Sequence, residues 1–273
     1  MPTNRTVNAR GKRLVTTALM LALAAGVGGC GTSRMTTGSI GRSGGKPLET
    51  MSAGEVHNAT AALGQSYAKN PNDKRIATNF AAALQMDGDA DQSLAVMRKL
   101  AIAYPKDRDV LAAYGKALAA NGQFEAALDA VRRAQTPEYP DWKLVSAEAA
   151  ILDQIGQKDE ARQLYRKALE LKPNEPSVLS NLGMSYVLEG DLRTAETYMR
   201  LAAQQPGADS RVRQNLALVV GLQGRFDEAE KIASQELSPE QAQANVAYLR
   251  QMLAQQNAWS QLKDQDKSKP ATN

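Results

Sequence analysis

Five glycines, Gly88, Gly122, Gly156, Gly190 and Gly224, stand 34 residues apart. Ala127, Ala161, Ala195 and Ala229 keep the same interval, with Ser93 one period earlier. A repeat held to one length constrains the fold more than composition does. Each copy has to build the same small unit and bury its apolar face against the next, since no copy has a core of its own. The windows 74–107, 108–141, 142–175, 176–209 and 210–243 follow one another without insertion or deletion. With 43% hydrophobic but only 5% aromatic residues, and alanine throughout, the copies read as helices with small interface residues rather than as strands.

The columns of the repeat state how each copy folds. In the eighth stand Ala81, Gly115, Ala149, Gly183 and Ala217, and in the twentieth Ser93 and the four alanines. Two antiparallel helices approach closely only where side chains are small, so these columns mark a helix crossing. The glycine in the fifteenth column suits a left-handed residue ending the first helix. Pro105 and Pro173, with Pro137, Pro140, Pro206 and Pro239 nearby, stop or restart the second. Leu84, Leu118, Leu152, Tyr186 and Val220 are the large apolar residues that neighbouring copies bury jointly.

The copy at 176–209, "PSVLSNLGMSYVLEGDLRTAETYMRLAAQQPGAD", with Leu179, Leu182, Gly183, Tyr186, Gly190, Ala195 and Ala202, resembles the tetratricopeptide motif, whose period it shares. The resemblance implies an all-α tetratricopeptide-repeat (TPR) solenoid of about five repeats. Departures fall at the ends, where Arg213 replaces an apolar residue and Glu236 a small one. An N-terminal partial repeat is expected over 48–73. The capping box Ser238-Pro239-Glu240-Gln241 opens a cap helix over 239–253, with Ala242, Val246, Leu249 and Leu253 on one face. The segment 254–273 is Gln-, Lys- and Asp-rich and reads as a polar, partly disordered tail.

Before the repeats, residues 1–29 have the form of a signal peptide. Arg5, Arg10, Lys12 and Arg13 precede an apolar run from Leu14 to Val27 that is too short to span a bilayer. Gly26, Gly28 and Gly31 match GxGxxG formally, but no strand precedes them, so a nucleotide loop is excluded. Gly44 to Lys46 fails as a phosphate loop because Ile40 and Pro47 stand where Gly and Ser or Thr are needed. Val27-Gly28-Gly29-Cys30 instead resembles the lipobox of bacterial lipoproteins. That resemblance implies that Cys30, the single cysteine, is acylated and becomes the first mature residue, and acyl chains in pairs anchor stably where one is marginal. The ordinary alternative is a signal peptide with an incidental cysteine. Gly31 is similar to the residue found in lipoproteins routed to the outer membrane. Residues 30–47, rich in Gly, Ser and Thr, form a flexible tether with a reach of about 20–25 Å. The formal charge of +4 comes from the four basic residues of 1–29, so the chain from Cys30 onward is neutral and offers no basis for nucleic-acid binding.

Catalysis has no foothold in this pattern. His57 is the single histidine, and neither HExxH, GxSxG nor a cysteine cluster occurs, so no enzyme activity, cofactor or metal is expected. The acid pairs Asp87 with Asp89 and Asp159 with Glu160 fall at turns and helix starts, where capping accounts for them.

A solenoid of helix pairs lines its concave side with the first helix of each pair. In the family the lining columns are the second, fifth, sixth, ninth, twelfth and thirteenth. Carried over by register, they give Arg75, Asn79, Lys116, Lys143 and Asp153 among small residues of the first three repeats. The fourth and fifth repeats give Met184, Val187, Leu188, Leu218 and Leu222, flanked by Asn181 and Asn215. That apolar strip is expected to receive an amphipathic helix or extended peptide, with the asparagine amides holding its backbone. The alternative is that these side chains pack against the next repeat and the cap.

Lipobox, tether, "KPLETMSAGE", the stretch "RDVLAAYGKALAANGQFEAALDAVRRAQTPEYPDWKLVSAEAAILDQIGQKDEARQLYRKAL" and the closing "SRVRQNLALVVGLQGRFDEAEKIASQELSPEQAQANVAYLRQML" together resemble the TadD family, tetratricopeptide lipoproteins of the tight-adherence (Tad) system that assembles Flp-type pili. The resemblance implies a periplasm-facing, outer-membrane protein with protein partners, the pilus secretin or other Tad envelope components, acting in the manner of a pilotin. Two other functions fit a lipid-anchored scaffold: outer-membrane barrel assembly, or service to a cell-wall enzyme.

Overall fold

In the computed structural model, residues 48, 51–136, 138 and 140–268 are described. The signal peptide, Cys30 and the tether to residue 47 lie outside them. The described residues form twelve helices: α1 (Ala53–Lys69), α2 (Lys74–Met86), α3 (Ala90–Ala103), α4 (Arg108–Ala120), α5 (Phe124–Ala134), α6 (Trp142–Gln154), α7 (Lys158–Leu171), α8 (Pro176–Glu189), α9 (Leu192–Ala203), α10 (Ser210–Leu222), α11 (Phe226–Ala233) and α12 (Pro239–Ser268). They fall into two compact units, one ending at Lys172 and holding α1 to α7, the other beginning at Pro173 and holding α8 to α12.

The register is kept to the residue. The first helices begin at Lys74, Arg108, Trp142, Pro176 and Ser210, the first position of each window, and the second helices at Ala90, Phe124, Lys158, Leu192 and Phe226, the seventeenth. Asp73, Asp107, Asp141 and Asp209 precede four of the first helices, and each side chain accepts a backbone N–H of the opening turn. This fixes where those helices start by satisfying otherwise orphaned donors. Before α8 stands Glu175 without a side-chain cap, and Pro176 opens the helix with no N–H to satisfy. The five period glycines all have φ between +70° and +91°. At Gly190 the C-cap of α8 itself is left-handed, a conformation strained for a residue with a Cβ.

Small columns meet as expected. Ser93 Oγ donates to the Ala81 carbonyl at 2.8 Å, so the eighth and twentieth columns touch directly in the first repeat. A Cβ on Gly115 would lie 2.7 Å from Val131 Cγ2 and 3.3 Å from the Ala127 carbonyl. On Gly183 it would lie 3.0 Å from Met199 Cγ and 3.1 Å from the Ala195 carbonyl. Leu100, Leu118, Leu152 and Leu182 are among the fully buried side chains that fill the spaces around these crossings.

The exceptional residues explain one another. Arg213 donates from Nε to Glu236 Oε1 and from Nη1 to the Ala208 carbonyl at 2.9 Å, so the two departures at the end of the array form one ion pair. Glu148 stands in the seventh column, where other copies have Phe80, Tyr114, Leu182 and Leu216. It is 8% exposed, and its carboxylate accepts from Arg132 Nε at 2.7 Å and Gln135 Nε2 at 2.6 Å at the end of α5. A buried carboxylate is tolerable only with such partners.

The leading segment is a single helix, α1, opened by a capping box between Ser52 and Glu55. At the other end, the cap helix expected over 239–253 is longer, because α12 runs on to Ser268 into the segment expected to be a polar, partly disordered tail. From Glu240 to Ser268 the chain contains neither Gly nor Pro and is rich in Gln, Ala, Lys and Leu, all good helix formers, so no residue in that span breaks the helix. Residues 269–273 lie outside the described set. No helix among the described residues is long and apolar enough to cross a membrane.

Candidate binding surface

In the first unit, the groove columns of the second and third repeats meet in a shallow cleft between α4 and α6. Lys116 and Ala119 come from α4, and Ala147, Ala150, Ile151 and Gln154 from α6. Val131 of α5 closes the floor. Five of these seven residues stand in columns expected to line the groove. Ile151 and Val131 do not: they are core residues, 4% and 1% exposed, reached through the gap that the alanines leave. Lys116 is exposed at the edge, and Asn79 on α2 is half-buried. Asp153, by contrast, is 6% exposed and belongs to the interior. Lys143 lies with Nζ 5.6 Å from the Trp142 ring centroid, a cation–π contact.

In the second unit, Met184 and Leu188 on α8 and Leu218 and Leu222 on α10 are half-buried. Val187 departs from the expectation. At 5% exposure it is buried and packs inside its unit, so the strip has four members, not five. Asn181 and Asn215 are also half-buried, but the Asn215 amide already has a use. Its Nδ2 donates to Ser180 Oγ at 3.1 Å and so ties α10 to α8. The role foreseen for it, holding a ligand backbone, is replaced in part by this internal bond.

A charge network of the second unit lies on α9, α11 and the turn between α10 and α11. Glu196 of α9 accepts from Arg225 Nη2 at 2.6 Å, Arg200 Nε at 2.8 Å and Gln223 Nε2 at 2.8 Å, while Arg200 and Arg225 also hold Glu228 of α11. The Arg225 bond leads in favouring the ionised form, and the Glu196 carboxyl is lowered to about 2. Glu228 is lowered as well, by Arg200 first and then Arg225. In the first unit, a hydrogen bond to Asp107 raises Lys74 and in return lowers Asp107. Among the described residues, no three of His, Cys, Asp and Glu gather as a metal cage requires.

Comparison with known families matches residues 78–141 to the tetratricopeptide repeat and residues 151–190 to the TPR repeat. The chain carries tetratricopeptide repeats. Its fold is an all-α TPR fold, and repeats of this kind serve as scaffolds for protein–protein interaction. Among solved structures, a tetratricopeptide repeat protein from Parabacteroides merdae is similar with a TM-score of 0.62 at 14% identity, over 72% of this chain and 78% of that one. A chain of the APC/C hetero-tetramer Cut9–Hcn1 gives 0.56 at 13% identity, over 76% of this chain and 41% of its own length. Human IFIT1, solved as a dimer with PPP-AAAA, gives 0.54 at 17% identity, over 67% of this chain and 46% of its own. At such identities the TPR likeness is one of fold alone. No curated protein matches the chain.

Proposed function

We propose that this TPR chain is an outer-membrane lipoprotein, attached through Cys30 and facing the periplasm, that supports Flp-type pilus biogenesis by binding the Tad secretin and aiding its assembly or stability. The observation that carries the proposal is a repeat fold with open, partly apolar first-helix surfaces, joined through a Gly/Ser tether to a lipobox ending at Cys30. A tether of that composition holds a binding domain near a lipid surface without fixing its orientation. The resemblance to the TadD family over nearly the whole chain after Cys30 supplies the partner.

The test is in-cell crosslinking followed by pull-down from solubilised envelopes and mass spectrometry, comparing the unaltered protein with Cys30→Ser and with Leu188→Glu plus Leu222→Glu. Recovery of the pilus secretin, weakened by Cys30→Ser and lost in the double variant while its helical melt survives, is the expected result. Recovery of barrel-assembly components or cell-wall enzymes without the secretin would overturn the pilus reading. A collapsed melt in the double variant would place the strip in the internal packing of its unit.

A further inference from the structure

The second helices carry a pattern that the groove does not use. Arg98, Arg132 and Arg166 stand 34 residues apart in the twenty-fifth column of the first three repeats, and Lys99, Arg133 and Lys167 follow them in the twenty-sixth. No other column is basic in all three of these repeats. All six residues are exposed. They lie on α3, α5 and α7, so the first unit has three basic rungs in one register on its second-helix side, away from the first helices that line the groove.

Cations near the end of a helix have an ordinary explanation in its dipole, which acts within the last turn. It covers Arg132 and Arg133, which stand in the last turn of α5, but neither α3 nor α7 has a basic residue in its last turn. The middle rung is also answered within the protein: Arg132 pairs with Glu148 at 2.7 Å and reaches Glu160 at 3.7 Å, and Arg133 pairs with Asp129 at 3.4 Å. At the outer rungs the neighbours are different. Ile102, one turn beyond Arg98 and Lys99 on α3, is 76% exposed, and Leu171, one turn beyond Lys167 on α7, is 38% exposed. Glu170, exposed and three residues after Lys167, offsets one of these cations. Cations in register beside exposed aliphatic side chains form a surface complementary to anionic headgroups over an apolar layer. The tether, moreover, joins the chain just before α1, in this same unit.

We infer that the second-helix face of the first unit, through Arg98, Lys99, Arg166 and Lys167, rests on anionic phospholipid headgroups of the membrane that holds Cys30, with Ile102 and Leu171 entering the headgroup layer. The inference rests on the reading of Cys30 as a lipid anchor and adds the face that the anchored domain turns to the membrane. A tether with a reach of about 20–25 Å keeps that face close to the surface. The first-helix groove of the same unit then faces away from the lipid, free for a protein partner. Since the chain from Cys30 onward is neutral, the attraction comes from the placement of charge and not from net charge.

For the test, the full chain purified from envelopes is reconstituted on vesicles of phosphatidylcholine alone or of an equimolar mixture with phosphatidylglycerol. A neutral acylating reagent is applied, and lysine modification is read by mass spectrometry. Lys99 and Lys167 react more slowly on the anionic vesicles than on the zwitterionic ones, while Lys116, exposed on the groove side, reacts equally on both. Each basic residue near an anionic leaflet favours the docked state by about fivefold. Arg98→Glu with Arg166→Glu therefore lowers the docked-to-free ratio by about 25-fold and returns both lysines to their zwitterionic reactivity, with the helical melt retained. Molar salt does the same to the unaltered protein. Equal reactivity of Lys99 and Lys167 on the two vesicles, or protection that spreads to Lys116 or survives both arginine substitutions, overturns the inference. Protection in intact envelopes but not on anionic vesicles also overturns it, and assigns the face to an acidic protein. The same digest reports on Cys30 and so separates the two proposals. Unacylated Cys30 with protected lysines sinks only the anchor, and acylated Cys30 with reactive lysines sinks only the lipid-facing surface.

Discussion

Gly115→Ala tests whether small residues set the helix crossing. Two effects oppose each other. In the middle of α4, alanine is favoured over glycine by about 0.5–1 kcal/mol through backbone entropy. Against that, the new methyl would lie 2.7 Å from Val131 Cγ2, well inside van der Waals contact. Val131 is 1% exposed, and its branched side chain has one strongly preferred helical rotamer, so it has nowhere to turn. Overpacking of this kind costs about 1–3 kcal/mol, so the net expectation is destabilisation by about 1 kcal/mol. Val131→Ala alone should also destabilise, by leaving a cavity. In the double variant the new methyl occupies space that valine has vacated, and the two losses should fall short of additive by about 1 kcal/mol. A contrast lies at Gly221, where a methyl would meet Leu249 Cδ2 at 2.5 Å. That atom ends a longer side chain than valine's, though Leu249 is itself only 7% exposed, so Gly221→Ala should cost less than Gly115→Ala. Urea midpoints followed by far-ultraviolet circular dichroism, at unchanged m, decide the matter. A Gly115→Ala protein as stable as the original, or strictly additive behaviour with Val131→Ala, would refute the crossing argument.

Two further outcomes follow from the ion pairs. Glu196 titrates at about 2 instead of its ordinary 4.5, because Arg225 first, then Gln223 and Arg200, hydrogen-bond its ionised form. With the folded value depressed, its stabilising contribution is complete above about 4.5 and is lost as pH falls through about 2, an effect of at most about 3 kcal/mol. Glu196→Gln should flatten the decline of urea midpoint with acidification over that window, and an unchanged decline would refute the assignment. Separately, Arg213→Leu or Glu236→Ala alone leaves a partly buried charge without its partner and should destabilise by about 1–2 kcal/mol, whereas both together restore the usual apolar and small residues and should return near the original melting temperature. Additive losses in that double variant would show that the pair is not a unit.

What the sequence reveals of this fold depends on whether a residue acts within its own repeat. The glycine column, the small eighth and twentieth columns and the capping box at Ser238 act within a few residues or one helix pair, and each lies where its spacing says. The Asp column at Asp73, Asp107, Asp141 and Asp209 was equally legible by period and marks the helix starts more sharply than the prolines do. Glu148 was not legible, because Arg132 and Gln135 reach it from the preceding repeat only once the helices have stacked. Val187 fails as a surface residue, and Asn215 turns part of its amide inward, for a related reason. A column number gives the direction of a side chain on its helix, while the neighbouring helix decides whether that direction is open. The helical 254–268 segment shows the opposite weakness of a compositional argument, since polarity says that a helix face is solvated and does not say that the helix has ended.

The adjacent residues Gly115 and Lys116 show how the repeat separates folding from recognition. Successive residues of a helix point about 100° apart, so one faces the second helix of its pair while the next faces the groove. Gly115 has Val131 and Ala127 within touching distance of any added atom; Lys116 is exposed at the cleft edge. A change at the first should lower stability and leave partner capture in the envelope pull-down as it was, because the groove face keeps its side chains. A change at the second should leave the melt as it was. If Gly115→Ala weakened capture as strongly as Lys116→Glu, packing and binding would be coupled through α4. The column description would then have to give way to one in which the groove is shaped by how closely α4 sits on α5.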